Sequence, residues 1–179
     1  MIGFRQADPR FPFLWESPAQ PSARWHEAGE GPVQYFSDTP EAAWAEFLRH
    51  EEIVDAADVR GVRRALWVAS IERERLETPA VSDRVARGGP SSYASCRRAA
   101  KELRRRGATG LIAPSAAIRH GHSVRFRVDG GLLREARDDA VTIALFGARP
   151  SLVGYLASPD ARPAPDLAAS VRQLPGRHG

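Results

Sequence analysis

Three polar side chains suited to binding an anion and a sugar follow one another at equal spacing near the start of the chain. Arg24, Tyr35 and Glu46 are each eleven residues apart. A guanidinium offers a planar fork for a carboxylate or a diphosphate, a phenol ring offers a face for stacking, and a carboxylate accepts a sugar hydroxyl or offsets a developing positive charge. Taken alone the trio is weak evidence for any of these ligands, because two surface charges and a ring packed in a sheet would look the same in sequence.

The pattern around this trio predicts a strand followed by a helix. Residues 33–37, Val-Gln-Tyr-Phe-Ser, follow turn residues and are typical of a strand. Thr39 and Pro40 then predict a helix start, because a threonine side chain caps a helix and a proline suits its first position. We expect this helix to run to about His50.

Helical spacing separates Glu46 from the apolar residues of the same helix. Trp44, Phe47 and Leu48 follow one another at three- and four-residue intervals and should pack on the sheet. At about 100° per residue, Glu46 lies about 200° round from Trp44. Its carboxylate is therefore expected to point into a cleft or into solvent.

The remainder of the chain predicts further strands and one long helix. The helix is expected to begin with Ser95 as its cap and to end at Gly107, with three arginines in its last turn. Residues 158–179 are rich in proline and predict a poorly ordered tail, so we assign residues 1–157 to one α+β domain. Strands are expected at residues 65–71, 111–113, 123–128, 141–146 and 152–156, with a turn at residues 130–131.

Composition restricts the class of protein and its compartment. The 179 residues are 42% hydrophobic and 27% charged, which is typical of one globular domain. No apolar run reaches the roughly twenty residues that a membrane helix needs, and the N-terminus lacks the apolar core of a signal peptide. Cys96 is the only cysteine, which excludes an intrachain disulfide. We therefore expect a cytoplasmic protein that makes no contact with membranes.

Two features invite other interpretations. The net charge is +4, but the densest basic run, residues 97–106, contains none of the interleaved aromatic side chains that single-strand binders use. We expect a solvated helix face there and no direct contact with nucleic acid, which stays a distant third hypothesis. His120 and His122 have the only metal-like spacing, and because they lack further obvious ligands no metal site is expected.

Three segments carry a more specific pattern: Ala23-Arg24-Trp25, the run QYFSDTPEAAWAE at residues 34–46, and the run GLIAPSA at residues 110–116. Their order and spacing resemble the RES domain family, which is named for an arginine, a glutamate and a serine. In this sequence those residues correspond to Arg24, Glu46 and Ser115, and an upstream arginine of the family matches Arg5. The resemblance covers most of residues 1–156.

This resemblance implies an ADP-ribosyltransferase-like fold, in which split β-sheets with flanking helices bind NAD in a cleft. It implies an NAD-degrading enzyme, a glycohydrolase or a phosphorylase, that cleaves the nicotinamide–ribose bond as the toxin of a bacterial toxin–antitoxin pair. The implied partner is a helix-turn-helix antitoxin. NAD would be the substrate, with inorganic phosphate as co-substrate of a phosphorylase, and no separate cofactor is implied. The alternative of an ADP-ribosyltransferase that modifies a protein target stays open.

The resemblance also assigns roles to the charged residues. Arg24 and Arg5 would hold the diphosphate, for which a bidentate guanidinium is stronger and more directional than an ammonium. Glu46 would hold a ribose hydroxyl and offset the positive charge of an oxocarbenium-like state.

The remaining assignments concern two aromatic residues and the serine. Tyr35 would line the nicotinamide pocket, with Trp25 in the same substrate site. Ser115 would bind the ribose or a phosphate, or position the attacking group, and it need not be a nucleophile because no particular histidine is evidently paired with it. A serine after Pro114 also suits a cap, which is the structural alternative.

Overall fold

A mixed seven-stranded sheet forms the centre of the computed structural model, which describes residues 1–128 and 132–174. The strand order is β4-β5-β8-β2-β1-β3-β9, and the β4–β5 pair is parallel whereas the other pairs are antiparallel. A separate two-stranded ribbon consists of β6 and β7. The strands are β1 (Ile2–Ala7), β2 (Val33–Ser37), β3 (Arg64–Ser70), β4 (Leu76–Glu77), β5 (Gly110–Pro114), β6 (Ser123–Val128), β7 (Leu132–Asp138), β8 (Val141–Phe146) and β9 (Gly154–Ala161). The predicted α+β class is confirmed.

Within the described residues, four helices and two short 3-10 turns accompany the sheet. The helices are α1 (Pro40–His50), α2 (Ala56–Gly61), α3 (Asp83–Ala86) and α4 (Tyr93–Arg105), and the 3-10 turns are Pro90–Ser92 and Pro165–Ser170. The predicted turn at residues 130–131 lies outside the described residues. No helix within the described part of the chain is long and apolar enough to cross a membrane.

Helix α1 begins and ends where the sequence predicts. The Thr39 hydroxyl accepts a hydrogen bond from the Ala42 backbone N–H, and Pro40 occupies the first turn. Both features satisfy or remove an unpaired N–H at the helix start. Trp44 and Leu48 are buried in a core beneath the helix, and Phe47 packs against it. The predicted apolar face is buried, but the core that covers it comes chiefly from α2, residues 117–118 and the C-terminal segment rather than from the sheet.

Helix α4 begins two residues before the predicted cap. The 3-10 turn Pro90–Ser92 continues directly into Tyr93, so Ser95 lies inside the first turn of the helix rather than before it. Proline at the start of that turn pre-organises the helical backbone, which explains the earlier start. The end is as predicted, because Gly107 adopts φ +84 and stops the helix.

The segment after residue 157 differs from the expected tail. Strand β9 continues to Ala161 and pairs with β3. Further on, Leu167 and Val171 are buried in the core beneath α1, and Val171 forms a β-bridge with Ile118. Residues 158–174 therefore belong to the folded domain, because two apolar side chains among the prolines supply enough burial to order the segment. Residues 175–179 lie outside the described chain.

Candidate functional site

A cavity of about 410 Å³ opens between α1, the strands β1 and β2, and the loop that carries Arg24. Its volume lies in the range of roughly 300–1,000 Å³ that is usual for small-molecule sites. Five of the six residues predicted to form the site line this cavity: Arg5, Arg24, Trp25, Tyr35 and Glu46. The structure thus brings together side chains from four separate segments of the first fifty residues.

Arg24 is held at the wall of the cavity by the segment that precedes α4. Its Nη2 donates to the Gly88 carbonyl at 2.8 Å, and its Nη1 lies 3.4 Å from the Ser92 hydroxyl. The guanidinium carbon also lies 4.6 Å from the centroid of the Tyr93 ring, a cation–π contact. A guanidinium carries five N–H donors, so an oriented fork is still available to a ligand.

Arg5 is held by the neighbouring strand. Its Nη1 donates to Oε1 of Gln34 at 2.7 Å. The Gln34 side chain is fully buried and is itself fixed by the backbone of Trp15, from which it accepts one hydrogen bond and to which it donates another. Burial lowers the pKa of Arg5 to about 10, so the group still carries its charge at neutral pH. Arg5 is therefore a fixed cation on a rigid strand.

Tyr35 and the Trp25 loop are joined by a hydrogen bond. The Tyr35 hydroxyl accepts from the Trp25 backbone N–H at 3.1 Å, and burial raises the pKa of Tyr35, which keeps the phenol neutral. The Trp25 side chain is packed in the core with only 1% of its surface exposed. It can therefore contribute only a small edge to the cavity, whereas the Tyr35 ring is half-buried.

Glu46 points away from the packing face of α1 and into the cavity, as its helical position predicts. One carboxylate oxygen accepts from the Thr142 hydroxyl at 3.4 Å, and the other lies 3.9 Å from Nε2 of His50. About 30% of the side chain is exposed. The carboxylate is therefore oriented from behind by β8 while its remaining acceptor sites face the open space.

Ser115 is not brought into the cavity. Its side chain is 0% exposed, and its hydroxyl accepts from the Ala117 backbone N–H at 3.2 Å. The residues on either side, Pro114 and Ala116, do line the cavity. The prediction of a substrate contact through the hydroxyl is therefore not matched by the geometry. The chain turns inward at the end of β5, and the hydroxyl satisfies a buried N–H there.

Two further arginines line the cavity and were not singled out from the sequence. Arg49 is 4% exposed and donates to the Ala116 carbonyl, and burial lowers its pKa. Arg64 lies 4.8 Å from the centroid of the Phe47 ring and donates to Gln6. Arg49 follows Glu46 by three residues, and helical spacing alone could have placed the two on one face.

The charges around the cavity favour an anionic ligand. Among the described residues, the lining includes two carboxylates, Glu46 and Glu51, and four guanidiniums, and the cavity walls exclude part of the solvent that would screen them. The guanidiniums belong to Arg5, Arg24, Arg49 and Arg64. The lining of the cavity therefore carries more positive than negative charge.

The other candidate features have structural partners. Among residues 1–128 and 132–174 no group of three or more His, Cys, Asp or Glu could hold a metal ion. His120 pairs with Asp139, and His122 lies 2.9 Å from the Ser170 hydroxyl.

Four arginines of the basic run bind groups of the same chain. Arg97 donates to the Ala23 carbonyl, and Arg104 pairs with the Glu30 carboxylate. Arg105 pairs with Glu102, and Arg106 pairs with Glu77.

Comparisons with known proteins agree with this architecture. A family model described as the RES domain matches residues 3–155. Among solved structures, a chain in the crystal structure of the M. tuberculosis MbcT–MbcA toxin–antitoxin complex is similar, with a TM-score of 0.50 and 14% sequence identity. The similarity covers 94% of this chain and 86% of that one. No curated protein sequence gives a significant match.

Proposed function

This chain belongs to the RES domain family, and on that premise we propose that it is an enzyme that consumes NAD by cleaving the nicotinamide–ribose bond. The observation that carries the proposal is the convergence of Arg24, Tyr35 and Glu46 on one cavity whose charges favour an anion. Each group matches one part of the substrate. The guanidinium would bind the diphosphate, the ring would contact the nicotinamide, and the carboxylate would contact the ribose between them.

The diphosphate would bind between Arg5 and Arg24. Arg5 is fixed to β2 through Gln34, and Arg24 is fixed to Gly88 and stacked on Tyr93. Because both guanidiniums are oriented by other residues of the chain, little side-chain freedom is lost when a ligand binds. Such preorganised forks favour a planar, bidentate contact with phosphate oxygens.

Glu46 would act on the ribose attached to nicotinamide. When the bond between C1′ and the ring nitrogen breaks, both electrons go to that nitrogen, and nicotinamide leaves as a neutral molecule. The ribose then carries positive charge spread over C1′ and the ring oxygen, which a nearby carboxylate stabilises. A water oxygen, or an oxygen of inorganic phosphate, forms the new bond to C1′. With water, one proton is released and ADP-ribose is the product.

Ser115 would support this site through the backbone rather than through its hydroxyl. The hydroxyl fixes the turn that presents the Ala116 carbonyl to Arg49. Arg49 lies on the same helix as Glu46 and shares the cavity with it. In this assignment the serine positions a charged neighbour of the catalytic carboxylate and does not touch the substrate.

We further infer that the protein acts in the cytoplasm as the toxin of a toxin–antitoxin pair. The solved structure with the similar fold is a toxin–antitoxin complex, and NAD is a cytoplasmic substrate that every cell needs. The proposed partner is a helix-turn-helix antitoxin that covers the cavity, and the proposed chemistry needs no separate cofactor. Co-expression of a helix-turn-helix protein encoded by a neighbouring gene should abolish toxicity. That protein should also co-purify with this chain.

Incubation of the purified protein with NAD, with and without inorganic phosphate, tests the reaction directly. Loss of NAD with ADP-ribose as product indicates hydrolysis, and a phosphorylated ADP-ribose formed only with phosphate indicates phosphorolysis. NADH is the matched control, because its ring nitrogen carries no positive charge and the ring cannot leave as a neutral molecule. No loss of NAD in either buffer would refute the proposal. A gain of one ADP-ribose unit by an added cell protein would favour transfer to a protein target instead.

A further inference from the structure

A buried histidine lies behind the cavity, and its side chain is hydrogen-bonded to one of the residues that line it. The His26 side chain is 2% exposed, and its Nδ1 lies 3.0 Å from the Tyr35 hydroxyl. The same hydroxyl accepts from the Trp25 backbone N–H at 3.1 Å. His26 does not line the cavity, so any effect on a ligand must pass through its neighbours.

The hydrogen-bond pattern decides where the imidazole proton lies. A backbone N–H can only donate, so the Tyr35 oxygen accepts from Trp25 and its own proton is available to Nδ1 of His26. That arrangement leaves His26 neutral with its proton on Nε2, which has no hydrogen-bond partner among the described residues. The alternative, in which Nδ1 donates to Tyr35, forms the same number of hydrogen bonds but leaves two buried groups without partners, the Tyr35 hydroxyl proton and the Nε2 lone pair, instead of one.

The surroundings of His26 also oppose a positive charge. Arg97 and Arg104 of α4 face it, and Glu30 of its own loop pairs with Arg104 at 2.7 Å. Burial is the main cause that lowers the pKa of His26, and Arg104 and Arg97 act in the same direction, whereas the Pro21 backbone and Glu30 act in the opposite direction. The imidazole is therefore neutral at pH 7, and stability should fall as the pH drops below the unfolded value of about 6.5, because the unfolded chain takes up the proton first.

We propose that neutral His26 is a positioning residue, which fixes the Tyr35 ring and the Trp25 peptide and thereby the adjoining Arg24. Protonation of His26 turns Nδ1 from an acceptor into a donor, so the hydrogen bond to Tyr35 reverses and the Tyr35 hydroxyl proton is left without its acceptor. This inference rests on the proposed function for its kinetic consequence. It predicts that the affinity of the site for NAD falls in acid, because His26, which lies outside the cavity, takes up a proton.

Two substitutions separate positioning from mere packing. His26→Asn places an amide oxygen near the position of Nδ1, keeps an acceptor for Tyr35 and does not titrate. His26→Leu fills similar space without an acceptor. We expect His26→Leu to raise KM for NAD at every pH by about tenfold through the lost hydrogen bond, with a smaller change in kcat. In the unsubstituted enzyme, KM for NAD should rise as the pH falls and His26 takes up a proton. We expect His26→Asn to have the KM that the unsubstituted enzyme has at neutral pH, without this rise in acid.

The control is His120→Asn, which removes an exposed histidine outside the cavity and should leave the pH profile unchanged. Superimposable KM profiles for the unsubstituted enzyme and His26→Asn from pH 5 to 8 would overturn the proposal. So would ¹⁵N chemical shifts of His26 that show the proton on Nδ1 at pH 7. The NMR measurement needs no substrate and no variant, so it decides the tautomer even if the protein does not cleave NAD. Failure to cleave NAD would refute only the proposed reaction.

Discussion

Replacing Glu46 by glutamine removes one negative charge from the cavity while keeping the shape of the side chain. The amide oxygen can still accept from the Thr142 hydroxyl, which lies 3.4 Å from the carboxylate. The side chain is about 30% exposed and its contact with His50 is long, at 3.9 Å. Little folding free energy depends on its charge, so Tm should change by less than about 3 °C.

The expected loss of activity follows from Coulomb's law. A carboxylate about 4 Å from the developing positive charge, in a partly open site with an effective dielectric constant of about 20, contributes about 4 kcal/mol. Each 1.4 kcal/mol or so of transition-state stabilisation is worth a factor of about ten, so kcat of Glu46→Gln should fall about 1,000-fold. Affinity for ADP-ribose should stay equal or improve, because this product lacks the cationic ring and the arginines remain.

Steady-state kinetics with NAD and calorimetric titration with ADP-ribose measure the two quantities separately. The matched control is Glu51→Gln, the same charge change at the exposed rim of the cavity, which should alter kcat by less than about threefold. A folded Glu46→Gln protein that retains more than about a tenth of the kcat would refute the reasoning. A parallel loss of ADP-ribose affinity would show that Glu46 acts in binding rather than in the reaction.

Three other outcomes are expected. Arg24→Lys keeps the charge but loses the fork and the stacking on Tyr93, so Kd for ADP-ribose should rise about 10- to 100-fold, and an unchanged Kd in calorimetry would contradict this. Ser115→Ala removes the bond to the Ala117 N–H and should lower the free energy of unfolding by about 1 kcal/mol, with kcat/KM nearly unchanged; a normal Tm with no turnover would instead support a substrate contact. Leu167→Ala should cost about 2–4 kcal/mol in urea unfolding, whereas no change would mean that the C-terminal segment contributes nothing to the core.

Local sequence was sufficient wherever neighbouring residues determine the outcome. The Thr39 cap and Pro40 define the start of α1, and its helical periodicity placed Glu46 away from the packing face. These features depend on contacts within one or two turns, whose geometry is the same in any helix. The start of α4 was predicted less accurately, because the 3-10 turn directly before it, and not a cap at Ser95, determines where the helix begins.

The sequence by itself determined the residue types of the site, the α+β class and the resemblance to the RES domain family. Only the tertiary structure decided which of those residues share a cavity, because strand order brings Arg5 of β1 next to Gln34 of β2 across 29 positions. It also turned the Ser115 hydroxyl inward, buried Arg49 beside Glu46 and added Leu167 to the core beneath α1. Burial and hydrogen-bond partners depend on what packs from elsewhere in the chain, and no local pattern contains that information.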